Sequence, residues 1–175
     1  MGTSPLGRTL VIANPAANRG QGAEGAAFVQ RFLDSYRGAT TAHELILTKA
    51  PGDAQNLARE ANGFDTILAL GGDGVIHEAV NGLMERDATN RPQLSIIPMG
   101  SGNDYARTLG MAINDPSRAL AQLVRGHASS LEVGRVNGVH FMETLSFGMD
   151  AAIALDTTRR RVEETTSRYG EELFI

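Results

Sequence analysis

The stretch Ile67-Leu-Ala-Leu-Gly-Gly-Asp-Gly-Val-Ile-His-Glu-Ala-Val-Asn-Gly82 decides the fold of this chain. Its first four residues are apolar and predict a buried strand. Three glycines within the next four residues, with Asp73 between them, predict a tight turn. Apolar residues then recur at helical spacing from Val75 to Met84. The stretch therefore predicts a strand, a glycine turn and a helix, the unit from which parallel α/β sheets are built.

The glycine turn has two interpretations, an anion-binding turn or an ordinary connection. Unpaired N–H groups at the start of a helix can bind phosphate, and glycines let a ligand approach the backbone closely. A carboxylate beside a phosphate requires a divalent cation between them, so the first interpretation places Mg²⁺ at Asp73. In the second interpretation, Asp73 is the N-cap of the helix.

Composition limits the classes of protein to which the chain can belong. Its 175 residues suffice for one α/β domain, or for one domain and part of another, and 42% of them are hydrophobic. A net charge of −4 argues against a general nucleic-acid-binding protein. The absence of cysteine excludes disulfides, thiol catalysis and Cys-ligated zinc. Because there is neither a run of about 18 apolar residues nor a signal peptide, we expect a cytoplasmic protein without a transmembrane segment.

Strand and helix patterns alternate over residues 8–126. Helical patterns follow each of the four predicted strands, which are Thr9–Ala13, Glu44–Thr48, Ile67–Leu70 and Leu94–Pro98. Asp115 followed by Pro116 predicts the start of a further helix, which ends at Gly126. This alternation predicts a doubly wound parallel sheet.

The pattern changes after Ser129, where two strand-like runs flank Asn137-Gly138, the strongest short signal for a hairpin. We therefore predict an α/β domain over residues 8–128 and the start of an all-β domain over residues 129–175. About 45 residues are too few for an independent β domain, so we expect the second domain to be incomplete. The chain also stops on Leu173-Phe-Ile175 without a helix cap. A strand edge left uncovered in this way predicts that the chain can form a homodimer.

Polar or glycine-rich loops follow all four predicted strands, and parallel strands bring such loops to one edge of the sheet. The loops are Asn14-Pro15, Thr48, Gly71–Gly74 and Gly100–Asp104. Two of them are glycine turns that contain an aspartate and precede a helix. We therefore predict that Asp73 and Asp104 share one magnesium–phosphate group. Thr48 and Ser101 can donate hydroxyl hydrogen bonds to phosphate oxygens.

Other polar residues lie near these turns in the sequence. Arg107, one turn into its helix, either reaches the transferring phosphoryl group or is a solvated surface residue. Glu78 and Asn81 are three residues apart and share a helix face. We expect Asn81-Gly82 to pack against the sheet rather than to contact substrate. His77 has no partner visible in the sequence and is expected at the rim.

The two glycine motifs together resemble the catalytic domain of the diacylglycerol kinase family, and in particular its bacterial soluble lipid kinases. One motif is Gly71–Gly74 with Glu78–Gly82, and the other extends from Ile97 to Arg107. The first motif is shared with NAD kinases and phosphofructokinases, whereas the second is more specific to lipid kinases. The resemblance implies an active site in the cleft between an α/β domain and a β-sandwich. It also implies transfer of the ATP γ-phosphoryl group to a lipid hydroxyl, typically that of diacylglycerol.

The resemblance implies roles for individual residues as well. It places contacts with ATP at Asn14, Thr48, Gly72, Asp73, Gly74, Val75, Ile76, His77, Glu78 and Ser101. It makes Asp73 and Asp104 the catalytic residues that organise Mg²⁺ and phosphate. Because the acceptor is a lipid, it also implies peripheral attachment at the inner membrane surface.

The chain departs from the family pattern at three points. Val75 stands where the family usually has Thr, and Ala16-Ala17 stand where Ser-Gly often follows Asn-Pro. The chain also contains no Asp-Gly-Glu segment, which is expected to supply the general base of the family. We therefore expect little activity from this chain alone. Two alternatives stay open: a nucleotide-binding regulatory protein without catalysis, and an NAD-kinase-like small-molecule kinase.

Overall fold

The computed structural model describes residues 5–36, 38–153, 155–156 and 159. Strands and helices alternate along the first part of the chain, followed by two short strands. A 3-10 helix at Ala88–Asn90 precedes the fourth strand. The elements are β1 (Arg8–Ala13), α1 (Gly22–Ser35), β2 (Ala42–Leu47), α2 (Asp53–Glu60), β3 (Thr66–Gly71), α3 (Asp73–Met84), β4 (Gln93–Pro98), α4 (Asp104–Thr108), α5 (Pro116–Arg125), β5 (Gly134–Val136) and β6 (Val139–Phe141).

Strands β1–β4 form one parallel sheet in the order β2-β1-β3-β4. The chain passes from β1 to β2 in one direction and from β3 to β4 in the other, so the winding reverses between β1 and β3. Ala13 lies opposite both Leu47 and Leu70, and Gly71 lies opposite Pro98. The four strands therefore end at one edge, and a reversal point at this edge is where doubly wound sheets bind ligands.

Helices cover both faces of the sheet. All six residues of β3 are buried, and its side chains alternate between two cores. Leu68 and Leu70 pack in the core that contains residues of α1 and α5. Ile67 and Ala69 pack in the core that contains residues of α2 and α3. This three-layer arrangement confirms the predicted doubly wound α/β fold.

Strands β5 and β6 form a separate antiparallel hairpin. The turn residues Asn137 and Gly138 have φ angles of 48° and 87°, as the two-residue turn that favours Asn-Gly requires. The hairpin is confirmed, but its strands are three residues each and shorter than the sequence runs predict.

The Cα packing separates two compact units, Met1–Glu143 and Thr144–Ile175. The hairpin belongs to the first unit together with the parallel sheet. The boundary expected between residues 128 and 129 stays a prediction.

In the second unit, residues 149–153 are helical and Phe147 is 85% exposed. The apolar end at Leu173–Ile175 lies outside the described residues. None of the helices in the described ranges has the length and apolar character needed to cross a membrane.

Candidate functional site

The turns that follow β3 and β4 lie against each other, backbone on backbone. The N–H of Met99 donates to the carbonyl oxygen of Gly71 over 2.8 Å. A Cβ atom built on Gly100 would lie only 2.6 Å from the Cα of Gly72. Any side chain at position 100 would therefore push the two turns apart, which explains the glycine there.

Asp73 joins the two turns through its carboxylate. Its Oδ2 accepts a hydrogen bond from the N–H of Asn103 at 2.7 Å, and its Oδ1 accepts one from the N–H of Asp104 at 3.0 Å. The N-cap of α3 is Gly72, and the Asp73 carboxylate binds the other turn instead of the start of its own helix, so the interpretation of Asp73 as an N-cap is wrong. The reason is that the second turn presents two successive N–H groups, and one carboxylate can bind both.

Asn103 shapes the second turn and is a residue that sequence reasoning missed. Its φ of 57° is left-handed, its Nδ2 donates to the carbonyl of Gly100 at 2.6 Å, and its side chain is fully buried. Its Oδ1 is buried without a hydrogen-bond partner among the described residues and faces the space beside Gly100. The available signal was its residue type, because Asn adopts left-handed backbone angles more readily than other residues with a side chain.

Asp104 presents a second carboxylate beside that of Asp73. It is exposed, and within the described ranges its carboxylate accepts no hydrogen bond. A Cβ atom on Gly102 would lie 2.8 Å from Oδ2 of Asp73 and 3.6 and 3.7 Å from the carboxylate oxygens of Asp104. The glycine thus leaves an open position between the two carboxylates.

This open position has the chemistry that Mg²⁺ prefers. The described residues contain no group of three or more His, Cys, Asp or Glu that could hold a metal ion. Mg²⁺, however, is usually bound by one or two carboxylates together with water and substrate phosphates. The carboxylates of Asp73 and Asp104 therefore fit this ion, provided that water or a phosphate group completes its oxygen ligands.

Asn14 and Thr48 follow β1 and β2 at the same edge. The Oδ1 of Asn14 accepts a bond from the N–H of Ala16 at 2.9 Å and so stabilises its own loop. Its Nδ2 has no protein partner in the described part of the chain. The Oγ1 of Thr48 lies 3.5 Å from the carbonyl oxygen of Ala13, which also accepts the N–H of Thr48 at 2.9 Å. The Asn14 amide nitrogen therefore keeps its donors for a ligand, whereas the Thr48 hydroxyl would first have to leave the carbonyl oxygen of Ala13.

The side chains that follow the first turn mostly face away from it. Val75 and Ile76 are 8% and 0% exposed and belong to the core. Glu78 accepts a bond from the N–H of Ala54 at 3.2 Å, at the start of α2. His77 is exposed on α3. In this run it is the backbone of the turn, rather than these side chains, that lies at the crevice.

Arg107 and Ser101 border the second turn. The Nε of Arg107 donates to the carbonyl of Gly102 at 3.1 Å, so this exposed side chain folds back over the turn. Ser101 is exposed at the tip of the same turn.

Asn81 and Gly82 pack differently from the expectation. A Cβ on Gly82 would lie 2.1 Å from the carbonyl oxygen of Gln55, so this glycine allows α3 to approach α2. The Asn81 side chain bonds the backbone of His140 in β6. The prediction that this pair packs against the parallel sheet is therefore wrong. The reason is that Gly82 lies against α2 and Asn81 bonds β6.

Known proteins resemble this chain over most of its length. The family model described as the diacylglycerol kinase catalytic domain matches residues 8–136. The diacylglycerol kinase of Bacillus subtilis (strain 168) is 36% identical over 151 residues, which cover 85% of this chain and 48% of that protein. A diacylglycerol kinase of Staphylococcus aureus (strain JH9) is 36% identical over 112 residues, which cover 63% of this chain and 35% of that protein.

Solved structures give the same result. The crystal structure of a diacylglycerol kinase from Bacillus anthracis superimposes with a TM-score of 0.68 at 33% identity. The match covers 77% of this chain and 45% of that one. The chain thus spans about half the length, or less, of the relatives that it matches.

Proposed function

The chain belongs to the diacylglycerol kinase catalytic domain family, and from this premise we propose that it binds magnesium–ATP where β1–β4 end. The observation that carries the proposal is the bonding of the Asp73 carboxylate to the N–H groups of Asn103 and Asp104. This contact holds two glycine turns side by side at the edge of the sheet where the strands end, next to the reversal point between β1 and β3. The N–H groups of Gly72–Gly74 begin a helix of 12 residues and are suited to bind phosphate oxygens.

The polar side chains around the crevice would complete the nucleotide site. Asp73 and Asp104 would hold Mg²⁺, which neutralises charge on the ATP phosphates. Asn14, Thr48 and Ser101 would donate hydrogen bonds to the nucleotide. Arg107 already lies over the second turn, where a cation stabilises the charge that develops on a transferring phosphoryl group.

For the whole protein we propose transfer of the γ-phosphoryl group to the hydroxyl of a lipid such as diacylglycerol. The lipid oxygen forms a bond with the γ-phosphorus, the bond to the ADP oxygen breaks, and the hydroxyl proton passes to a general base. The names of the relatives support this acceptor. The base is not supplied by any motif of this chain, which has no Asp-Gly-Glu, so we expect little transfer from the chain alone. Because the acceptor is a lipid, we also propose that the whole protein attaches peripherally to the inner membrane surface.

Calorimetric titration of magnesium–ATP into the folded chain tests nucleotide binding. The informative variant is Asp104→Asn, because the Asp104 carboxylate has no structural bond in the described chain and its loss should leave the fold intact. We expect binding to weaken at least tenfold in Asp104→Asn, and also in Asp73→Asn, which in addition disturbs the second turn. The control is Asp87→Asn, another exposed aspartate with no side-chain cap bond, beyond the other end of α3. It should bind as the unchanged chain does.

Two results would contradict the proposal. One is equal binding by Asp104→Asn and Asp87→Asn, which would place the nucleotide elsewhere. The other is no binding by a chain shown to be folded, which would favour a regulatory or scaffold role that does not depend on nucleotide. An NAD-kinase-like activity would instead appear as phosphorylation of NAD by the chain.

A further inference from the structure

Residues 139–143, which comprise β6 and the two residues after it, contact both helices that begin at the glycine turns. We refer to these residues as the strap. Helix α3 begins with Asp73, and helix α4 begins with Asp104. The strap lies in the same compact unit as both helices, so its contacts form part of one packed structure.

The first contact of the strap is with Asn81 on α3. The Oδ1 of Asn81 accepts a bond from the N–H of His140 at 2.9 Å, and its Nδ2 donates to the carbonyl of His140 at 3.0 Å. Arg135 and His140 form the second residue pair from the two-residue turn of the hairpin. In such a hairpin this pair is not hydrogen-bonded across the strands, so its N–H and C=O groups point away from the partner strand. The Asn81 amide therefore takes the place of a third strand. Because Asn81 is only 7% exposed, its removal would leave partly buried backbone groups without partners.

The second contact is apolar and involves a cluster that includes one residue from each of the two helices. Met142 packs against the buried cluster that contains Ile76 of α3 and Ala106 of α4. One side chain of the strap thus packs against a cluster to which both helices contribute a residue near Asp73 and Asp104.

The third contact is with the end of α4. The Oγ1 of Thr108 donates to Oε1 of Glu143 at 2.6 Å. Burial, and then the nearby Glu143 carboxylate, raise the pKa of Tyr105 on the same helix. The Glu143 carboxylate therefore lies near Tyr105 as well as at the end of α4.

We propose that the strap sets the position of α4 relative to α3, and that Asn81 and Glu143 are positioning residues for the site at Asp73 and Asp104. Helix α4 has only five residues, too few to hold its direction without tertiary contacts. Its N–H groups must nevertheless meet the Asp73 carboxylate at 2.7 and 3.0 Å. The strap can fix the direction of α4, because it is hydrogen-bonded to Asn81 of α3 and to Thr108 of α4, beyond the first turn of each helix. The functional meaning of this positioning rests on the proposed nucleotide site, but the positioning itself does not.

Residue-resolved hydrogen exchange on the nucleotide-free chain tests the proposal directly. The amides of Asn103 and Asp104 report the contact with Asp73, and the amide of His140 reports the strap. In Asn81→Ala we expect all three to exchange about fivefold faster, the factor that one net hydrogen bond contributes. Amides of β1 should keep their rates, because a general loss of stability would accelerate them as well. Faster exchange at His140 with unchanged rates at Asn103 and Asp104 would overturn the proposal.

A second pair of variants keeps the test decisive if Asn81→Ala does not fold. Thr108→Val removes the hydroxyl donor at an exposed position with little change of shape. We expect about twofold faster exchange at Asn103 and Asp104, because this bond is exposed and is one of three contacts. As a control, Glu143→Gln keeps an oxygen that can accept the Thr108 bond, so this variant should exchange at the rates of the unchanged chain. Equal rates in Thr108→Val and the unchanged chain would overturn the proposal.

The same variants separate this inference from the proposed function. If the exchange rates change as expected but the chain does not bind magnesium–ATP, the nucleotide site fails and the positioning stands. If the chain binds magnesium–ATP but exchange at Asn103 and Asp104 is unchanged, the positioning fails and the nucleotide site stands.

Discussion

Replacement of Gly100 by Ala tests whether the contact between the two glycine turns requires its present closeness. The new Cβ would lie 2.6 Å from the Cα of Gly72 and 2.9 Å from the Oδ1 of Asn103. The first neighbour is backbone and the second belongs to a fully buried side chain, so neither can move away without cost. The φ of Gly100 is not positive, and the strain therefore comes from this contact rather than from the backbone angle.

The expected cost follows from overpacking. Extra methyl groups forced into a packed interior cost about 1–3 kcal/mol. For a chain of this size, each kcal/mol lowers the melting temperature by about 2–4 °C. We therefore expect Gly100→Ala to lower the melting temperature by about 4–8 °C for a cost of 2 kcal/mol. Separation of the turns would also move Asn103 and Asp104 away from Asp73, so binding of magnesium–ATP should weaken in the same variant.

Gly74→Ala is the matched control for stability. It lies in the same turn region, yet a Cβ at this position has nothing within 4 Å. Because Gly74 is the second residue of α3, alanine there should leave the melting temperature unchanged or raise it slightly. Thermal unfolding of the two variants, followed by circular dichroism, measures the difference. Equal melting temperatures for Gly100→Ala and Gly74→Ala would refute the reasoning.

Three further predictions concern single positions. Asn103→Ala should lower the free energy of unfolding by about 2–3 kcal/mol, from the left-handed backbone and the lost bond to Gly100. Asn103→Gly should recover the part that comes from the backbone. Equal stability of both variants in denaturant unfolding would contradict this. The N–H groups of Lys49 and Ala50 bond the Asp53 carboxylate and lower its pKa. The contribution of these bonds to stability is therefore present above the unfolded pKa of about 3.9, and it is lost as the pH falls through the lower folded value. Asp53→Asn should accordingly be less stable than the unchanged chain at pH 7, and this difference should shrink as the pH falls below about 3.9, as unfolding across pH would show. Gly138→Ala should destabilise the hairpin by about 1 kcal/mol, because φ is 87° at this position. Faster amide exchange at Val139 is the measurement. Gly52→Ala, at a φ of 90° outside the hairpin, is the control and should leave the exchange of Val139 unchanged.

Much of the fold could be predicted because its signals are local. The apolar run before Gly71 gave a strand that is buried at every position, and the Asp115-Pro116 pair gave a helix whose N-cap bond is observed from the N–H of Arg118. The Asn137-Gly138 turn gave the hairpin. The lengths of β5 and β6 could not be predicted from local sequence, because a strand continues only where a partner is present to bond its backbone.

The candidate site was predictable only in part. The alternation of strands and helices implies that all parallel strands end at one edge, so the meeting of the two glycine turns could be expected from their order. The partner of the Asp73 carboxylate could not be read in this way, since it depends on contacts over about 30 residues of chain. The same applies to Asn81, whose amide bonds a strand 59 residues later.

The sequence by itself determined which residues form strands, turns and helices, because the spacing of apolar residues, glycine and proline acts over a few neighbouring residues. It also determined the family, because each of the two glycine motifs is an unbroken stretch of sequence and can be recognised without the fold. Only the tertiary structure decided that Asp73 bonds the second turn, that Glu78 bonds the start of α2, and that Asn81 holds the hairpin. The physical reason is that a polar side chain bonds the nearest unpaired N–H or C=O group, and packing of distant elements decides which group that is.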